Sequence, residues 1–282
     1  MPNGILWLAS YPKSGNTWVR IFLHNLFRNA TAPAPINEVS KATEGDANIA
    51  AYERIAGKPV FTLTHDQIHD LRRPLQREWA NRRETTIVKT HNMLGEINGK
   101  PLIYLEYTAA AIYVVRNVFD VAVSFSHHFN TDIDDAVEGI CQASMHTPTT
   151  KAAVVQVLNS WSEHYESWTS LKGFNPLVVR YEDMRKKPLK AFSKITKYMN
   201  LPANQDRLKR AIKFSSFEEV SSQEKQGGFT ERVHQDQIFF RSGKVGGWRQ
   251  HLSDAHVARL IDAHGETLLK LGYITRSGKP TV

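Results

Sequence analysis

The chain has 282 residues, 41% of them hydrophobic, enough to bury the core of one sizeable α/β domain. Its 36 lysines and arginines outnumber 28 aspartates and glutamates for a formal charge of +8, which favours an anionic partner or substrate. The single cysteine, Cys141, excludes an intrachain disulfide and a multi-cysteine metal site and fits a reduced, cytoplasmic setting. No apolar run approaches the ~18 residues of a membrane span, and the first one stops at Tyr11-Pro12-Lys13 with no basic leader or cleavage site, so a soluble protein with no membrane partner is expected. The basic residues are scattered, without a Lys/Arg run, zinc-finger spacing or basic heptad arm, which places nucleic acid behind a multiply charged nucleotide as the anion.

Ile5 to Ala9 reads as a short buried strand, and Trp18 to Arg28 carries apolar residues at helical spacing. Pro12 and Gly15 punctuate the turn between them. A helix starting near Asn16 would aim its first N–H groups and the positive end of its dipole at whatever lies over the loop, and an anion suits that place. Residues 30–59 suggest surface loops and short helices. Val60 to His65 looks strand-like, Gln67 to Arg83 helical, and Thr85 to Thr90 a strand ending in Lys89-Thr90-His91. Leu102 to Tyr107 is ambiguous between helix and strand. Ala111 to Val115 reads as a buried parallel strand that ends in Arg116, with Asn117 as N-cap of the helix that follows.

Thr131 to Pro148 shows no fixed element and is expected to be a lid. Lys151 to Lys172 predicts one long helix, with Val154, Val155, Leu158, Trp161, Tyr165 and Trp168 at three- and four-residue intervals and Gly173 ending it. Leu177 to Val179 supplies a strand, helices follow at 189–199 and 204–213, and Gln223 to Phe240 reads as a flexible polar segment. A glycine-rich basic stretch, Arg241 to Arg249, precedes a last helix over Asp254 to Leu271. Strands alternating with helices predict an α/β fold, a three-layer sandwich with a central parallel sheet, in a single domain over residues 1–282. Ligands gather at the carboxyl ends of such strands, so Lys13, Lys89 with His91, and Arg116 are expected to face one cleft.

The opening loop lacks the G-x-x-x-x-G-K-[ST] spacing of a nucleoside-triphosphate P-loop, and its lysine precedes the glycine. Tyr-Pro-Lys-Ser-Gly-Asn-Thr-Trp, Val-Lys-Thr-His, Tyr-Val-Val-Arg-Asn with Asp-Val-Ala-Val-Ser, Tyr-Glu-Asp-Met and Gly-Lys-Val-Gly-Gly-Trp-Arg, in this order over residues 11–249, resemble the cytosolic sulfotransferases. The resemblance implies a P-loop-NTPase-like fold and 3′-phosphoadenosine 5′-phosphosulfate (PAPS) as co-substrate, with no metal. The sulfuryl group would pass to a small phenol, alcohol or amine. On matching positions it implies that Lys13, Ser14, Gly15, Asn16 and Thr17 hold the 5′-phosphosulfate and that Trp18 stacks on adenine. Arg116 and Ser124 would bind the 3′-phosphate, Tyr181, Ser215 and Phe217 would contact adenine, and Arg241, Ser242 and Gly243 would form a second 3′-phosphate loop. His91 suits the base that takes the acceptor's proton, with Lys13 and Lys89 following the charge that develops on the leaving oxygens.

Asn16 stands where many animal members have threonine, and Ser242 where a lysine is common; weaker donor binding or compensation by Lys244 would follow. The family's short dimerisation pattern is not evident around His251 to His256, which leaves the oligomeric state open. Two other readings remain: a nucleotide-dependent kinase of related fold, against which the missing P-loop spacing and magnesium-carboxylate motif weigh, and a non-enzymatic polyanion-binding protein. His65, in Thr64-His65-Asp66, echoes His91 but lacks the preceding lysine and is read as a pocket or structural residue. Trp161 and Trp168 are expected in the core and Trp248 as anchor of the glycine-rich loop. Asp120 is read as orienting a neighbouring backbone or arginine, and Glu182 and Asp183 as capping a helix.

Overall fold

The structure, a computed structural model, describes residues 3–232, 234 and 236–282. In chain order its strands are β1 (Ile5–Ala9), β2 (Glu44–Gly45), β3 (Thr86–Thr90), β4 (Glu96–Ile97), β5 (Lys100–Pro101), β6 (Thr108–Val115), β7 (His146–Thr147), β8 (Gln156–Val157) and β9 (Leu177–Arg180). The helices are α1 (Asn16–Arg28), α2 (Ile49–Ala56), α3 (His65–Ala80), α4 (Val118–Phe129), α5 (Ile133–Cys141), α6 (Trp161–Thr169), α7 (Tyr181–Lys186), α8 (Pro188–Tyr198), α9 (Gln205–Phe214), α10 (Phe217–Gly227) and α11 (Asp254–Lys270). They fall into two compact units, one of residues 3–11, 43–114 and 142–178, the other of residues 12–42, 115–141 and 179–282.

The first unit is built on a five-stranded sheet of order β2-β3-β1-β6-β9. Every residue of β1 is 0% exposed, as expected of an apolar run with strands on both sides. β1 pairs in parallel with β3, Ala9 beside Thr90, and with β6, Ala9 beside Tyr113. Parallel pairing brings the carboxyl ends of β3 and β1 side by side, and Ser10 N donates to Thr90 O at 3.3 Å. The loops that leave those two strands therefore begin together.

In the second unit α1 packs on α9, α8 on α7 and α9, and α5 on α4 and α11. Phe22 of α1 stacks on Phe192 of α8 with ring centroids 4.2 Å apart. Asn117 caps α4, its side chain accepting from Phe119 N and Asp120 N. Asp120 then ties that helix start to the glycine-rich stretch: Oδ2 accepts from Asn117 Nδ2 (3.0 Å) and Gly246 N (2.8 Å), and Oδ1 from Trp248 N (3.1 Å). Trp248 is buried against Phe119, as the loop's anchor.

Several elements differ from the sequence-based expectation. Val60 to His65 is a 3₁₀ turn followed by the start of α3, because Thr64 and Gln67 form a capping box that commits the stretch to a helix. The long helix expected over 151–172 shrinks to α6: Ser160 and Glu163 form a second capping box, Asn159 before them is left-handed (φ 55°), and the upstream valines lie in extended chain around β8. Residues 133–141 form α5, with Asp132 Oδ1 accepting from Asp135 N at 2.8 Å. The ambiguous 102–107 stretch contains one 3₁₀ turn, Leu105–Tyr107. The polar segment from Gln223 opens inside α10, and its Val233 and Gln235 lie outside the described residues. Tyr181 already begins α7, so Glu182 does not cap; its carboxylate accepts from Asn117 N at 3.0 Å and Tyr273 OH at 2.7 Å.

Removing the Asp120 carboxylate strips three N–H donors of their acceptor. We expect Asp120→Ala to lower stability by about 2–4 kcal/mol and the melting temperature by roughly 5–10 °C. Calorimetry showing no shift would contradict that anchoring role.

Candidate functional site

The chain leaves β1 through Ser10 and Tyr11 and turns into α1 over Pro12 to Gly15. Two left-handed residues make the turn, Lys13 at φ 67° and Gly15 at φ 104°. Gly15 is the N-cap of α1 and offers no side chain to its first N–H groups. A Cβ there would lie 2.7 Å from Tyr181 Cδ2, so only glycine fits. Ser14 is 0% exposed and its hydroxyl has no hydrogen-bond partner among the described residues; the buried Nε1 of Trp18 has none among them either. Buried polar atoms at an uncapped helix start have the donor chemistry that fits an anion.

Arg116, just past β6, joins this turn to the glycine-rich stretch. Its guanidinium donates to Lys13 O at 3.3 Å and to Lys244 O at 3.1 Å and lies 4.4 Å from the Tyr181 ring centroid, while its buried Nε has no hydrogen-bond partner among the described residues. Tyr181 OH donates to Gly243 O at 3.0 Å. Gly243 is left-handed (φ 59°), and a Cβ there would come 2.5 Å from Phe217 Cδ2. Burial, and then the charge of Arg116, hold the Arg241 guanidinium below its usual value. Like charges drawn toward one another in this way are stabilised by an anion placed with them.

Trp18 sits edge-on to Tyr181 (5.6 Å) and Phe192 (5.5 Å), with the Arg185 guanidinium 5.9 Å from its ring, so it is both a packing and an aromatic-surface residue. Lys13 Nζ lies 4.2 Å over Phe239. The Phe239 segment is pinned by buried Glu224, which accepts from Phe239 N, Phe240 N and Arg232 Nε.

His91 and Lys89 belong to the first unit. Lys89 lies in β3 beside Leu8 of β1. His91 Nδ1 is 2.8 Å from Ser10 O and 3.2 Å from Ser10 Oγ. A carbonyl oxygen only accepts, so Nδ1 carries the proton and Nε2 is the proton-accepting nitrogen. The backbone of His91 is held as well: His164 Nε2 donates to His91 O at 3.0 Å, and Tyr113 OH donates to His164 Nδ1 at 2.8 Å. Burial pushes His164 down to about 4, only partly offset by its bond to His91 O, so it stays neutral at physiological pH.

Of the residues singled out from sequence, Lys13 to Trp18, Arg116, Tyr181, Phe217 and Gly243 form one cradle in the second unit, with Arg241 and Ser242 in the adjoining chain. Ser124 lies partly exposed on α4. Ser215 is buried at the end of α9, where its hydroxyl donates to Ile212 O at 3.2 Å. Trp161 and Trp168 are in the core, and His65 opens α3. Sequence reasoning missed His164 and Asp46. His164 shares the buried face of Trp161, Tyr165 and Trp168 and was findable as a polar residue on that stripe; Asp46 sits in a stretch without periodicity that carries no such signal. Among the described residues no group of three or more His, Cys, Asp or Glu is placed to hold a metal ion, and no helix is long and apolar enough to cross a membrane.

An uncapped helix start bridged by an arginine to a second glycine loop, following the first strand of a parallel sheet in sequence, is an arrangement suited to anions. The sulfotransferase domain model matches residues 4–272, and the chain belongs to the sulfotransferase family of enzymes. A flavonol 3-sulfotransferase of Flaveria bidentis is 25% identical over 304 aligned residues, which cover 98% of this chain and 85% of that one. Sulfotransferase 1E1 of Homo sapiens is 27% identical, covering 94% and 83%. Among solved structures, mouse sulfotransferase SULT7A1 complexed with PAP matches with a TM-score of 0.62 at 19% identity over 95% of this chain and 84% of its own. Retinol dehydratase in complex with androsterone and inactive cofactor PAP matches at 0.63 and 19%, over 95% and 81%. These likenesses show the fold; family membership sets aside the kinase and non-enzymatic readings.

His69, His164 and His264 are each pushed down to about 4 by burial, His69 and His264 further by a neighbouring arginine. Their folded values lie below the unfolded value of ~6.5, so the stability they contribute is present above that pH and is lost as pH falls toward 4. Urea unfolding should show a loss of about 2 kcal/mol per histidine between pH 7 and pH 5, and His164→Gln should flatten the slope by roughly a third. A pH-independent midpoint across that interval would contradict their buried neutral state.

Proposed function

We propose that the enzyme transfers the sulfuryl group of PAPS to a hydroxyl or amine of a small organic acceptor by direct in-line displacement. The observation that carries this reading is Arg116, which ties the Lys13 turn to the Gly243–Lys244 loop and keeps a buried Nε without a hydrogen-bond partner among the described residues. A ligand with anions at two separated points, one for each loop, suits that arrangement, and a nucleotide with a 5′-phosphosulfate and a 3′-phosphate has that form.

In this reading Lys13 and the Ser14 to Thr17 turn take the 5′-phosphosulfate. Arg116, Ser124, Arg241, Ser242 and Gly243 take the 3′-phosphate, and Trp18, Tyr181, Ser215 and Phe217 bound the adenine. His91 Nε2 accepts the acceptor's proton as its oxygen or nitrogen bonds to sulfur. The sulfur–oxygen bond to the 5′-phosphate breaks, and its electron pair stays on the phosphate oxygen, where the ammonium groups of Lys13 and Lys89 meet the new charge. The Nδ1–H bond to Ser10 O supports this role because it fixes the required tautomer. A small acceptor is supported by the names of the relatives, a flavonol sulfotransferase among them. The two units interleave along the chain in three segments each, which supports reading residues 1–282 as one catalytic domain. A single cysteine supports a cytoplasmic setting.

Calorimetric titration distinguishes the two anchoring points. The protein should bind 3′-phosphoadenosine 5′-phosphate at least ~10-fold more tightly than 5′-AMP, and Arg241→Met should reduce that preference while 5′-AMP binding changes little, since a charge-assisted hydrogen bond is worth about 1.5–3 kcal/mol. Equal affinity of the unaltered protein for the two nucleotides would overturn the assignment.

A further inference from the structure

The first unit contains a buried charged network that the proposed chemistry does not itself use. Asp46 and Arg72 are 1% and 0% exposed and lie 3.5 Å apart, Arg72 NH1 to Asp46 Oδ2. The same Oδ2 accepts from Thr90 Oγ1 at 2.8 Å and from Asn92 Nδ2 at 2.5 Å. Thr90 and Asn92 are the residues immediately before and after His91. Thr90 Oγ1 in turn accepts from Asn92 N at 3.0 Å, so the three groups close a ring around the backbone turn that presents the imidazole.

Short edge strand β2 explains how Asp46 reaches this place. Glu44 and Gly45 pair in parallel with Val88 and Lys89, and one further step of that register sets Asp46 beside Thr90, with Asp46 N donating to Lys89 O at 2.9 Å. Arg72 on α3 is fixed from its other side, donating through NH2 to Val155 O (2.8 Å) and through Nε to His69 Nδ1 (3.2 Å). Asn92 is held at both remaining polar atoms, its Oδ1 by Val157 N (2.8 Å) and its carbonyl by Trp168 Nε1 (3.1 Å).

Burying an ion pair carries a desolvation cost that a well-packed apolar pair avoids, so its presence at this one turn calls for a positional reason. We propose that Asp46 is a positioning residue for His91: by gripping Thr90 and Asn92 with one carboxylate oxygen it fixes the turn that keeps His91 Nδ1 on Ser10 O and Nε2 as the proton acceptor. The inference rests on the reading of His91 as the base. Loosening the turn lets the ring leave Ser10 O, and the opposite tautomer, which cannot take a proton at Nε2, becomes populated.

The test is ¹⁵N-imidazole NMR of the full chain at neutral pH, with the His91 signals assigned by their loss in His91→Ala. Two variants probe the grip: Asp46→Asn, and Thr90→Val, which removes one hydroxyl at nearly constant volume and keeps the test valid if the first fails to fold. Thr90→Ser is the rescue. The unaltered protein should show His91 protonated at Nδ1; Thr90→Val should show a tautomer mixture, and Thr90→Ser should restore the single form. Transfer of ³⁵S from PAPS to 4-nitrophenol should fall 10- to 100-fold in Thr90→Val and return with serine, as expected for a base displaced by a fraction of an ångström to an ångström. His91 signals unchanged in both Asp46→Asn and Thr90→Val would overturn the positioning role. Full transfer by His91→Ala would instead overturn the base assignment, a different result from the loss of the tautomer link, which the spectra decide for any acceptor.

Discussion

Arg116 is the constraint on which the joining of the Lys13 turn to the glycine-rich stretch depends. A guanidinium offers a fixed fan of donors, and here two of them are spent on main-chain carbonyls, Lys13 O in the turn before α1 and Lys244 O in the glycine-rich stretch. Segments more than two hundred residues apart in sequence are thereby held at one side chain. Tyr181, stacked under that guanidinium and donating to Gly243 O, makes the same link a second time. Glycine is required at 15 and at 243 for one reason: each turn closes so tightly on an aromatic ring that a Cβ has no room. Asp120 carries the tie further, gripping Gly246 N and Trp248 N from the start of α4.

The first unit solves a different problem with different means. In the role proposed for His91 the right nitrogen must be presented, and Ser10 and His164 hold its ring and its backbone through hydrogen bonds. Ser10 O fixes the proton on Nδ1, and His164, itself neutral and oriented by Tyr113 OH, fixes the carbonyl of the same residue. Behind them Asp46, paired with Arg72, accepts from both neighbours of the histidine. Parallel pairing of β1 with β3 makes this possible, since it brings Ser10 and His91 out of the sheet at the same edge.

Much of this is legible in the sequence. A fully apolar run before a Pro/Gly turn reads as a buried strand leading into a helix, and β1 and α1 are found there because both signals are local. Arg116 is legible as the polar end of a buried strand, whereas Tyr181 and the Gly243 loop come by resemblance, since nothing in the spacing of 116 and 244 says that they touch. The failures have two physical causes, local caps that override periodicity and partners distant in sequence. In residues 151–160 buried valines recur at intervals a helix would also produce, and only the Ser160–Glu163 box and left-handed Asn159 decide for extended chain. Thr64 and Gln67 do the same against a strand at 60–65. Asp46 was invisible because its importance lies in the register of a strand of two residues, a property set by pairing with β3 and not by its own neighbours. Glu182 was misread as a cap for the same reason, its partners Asn117 and Tyr273 being distant in sequence.

The most direct measurement of the central claim follows radiolabel from [³⁵S]PAPS in the presence of purified enzyme and a panel of phenols, alcohols and amines, with products resolved by chromatography and mass spectrometry. Label should appear on at least one acceptor as a covalent sulfuryl group, with 3′-phosphoadenosine 5′-phosphate released in equal amount. If the donor is bound but label never reaches any acceptor, or the nucleotide is not bound at all, the account is contradicted.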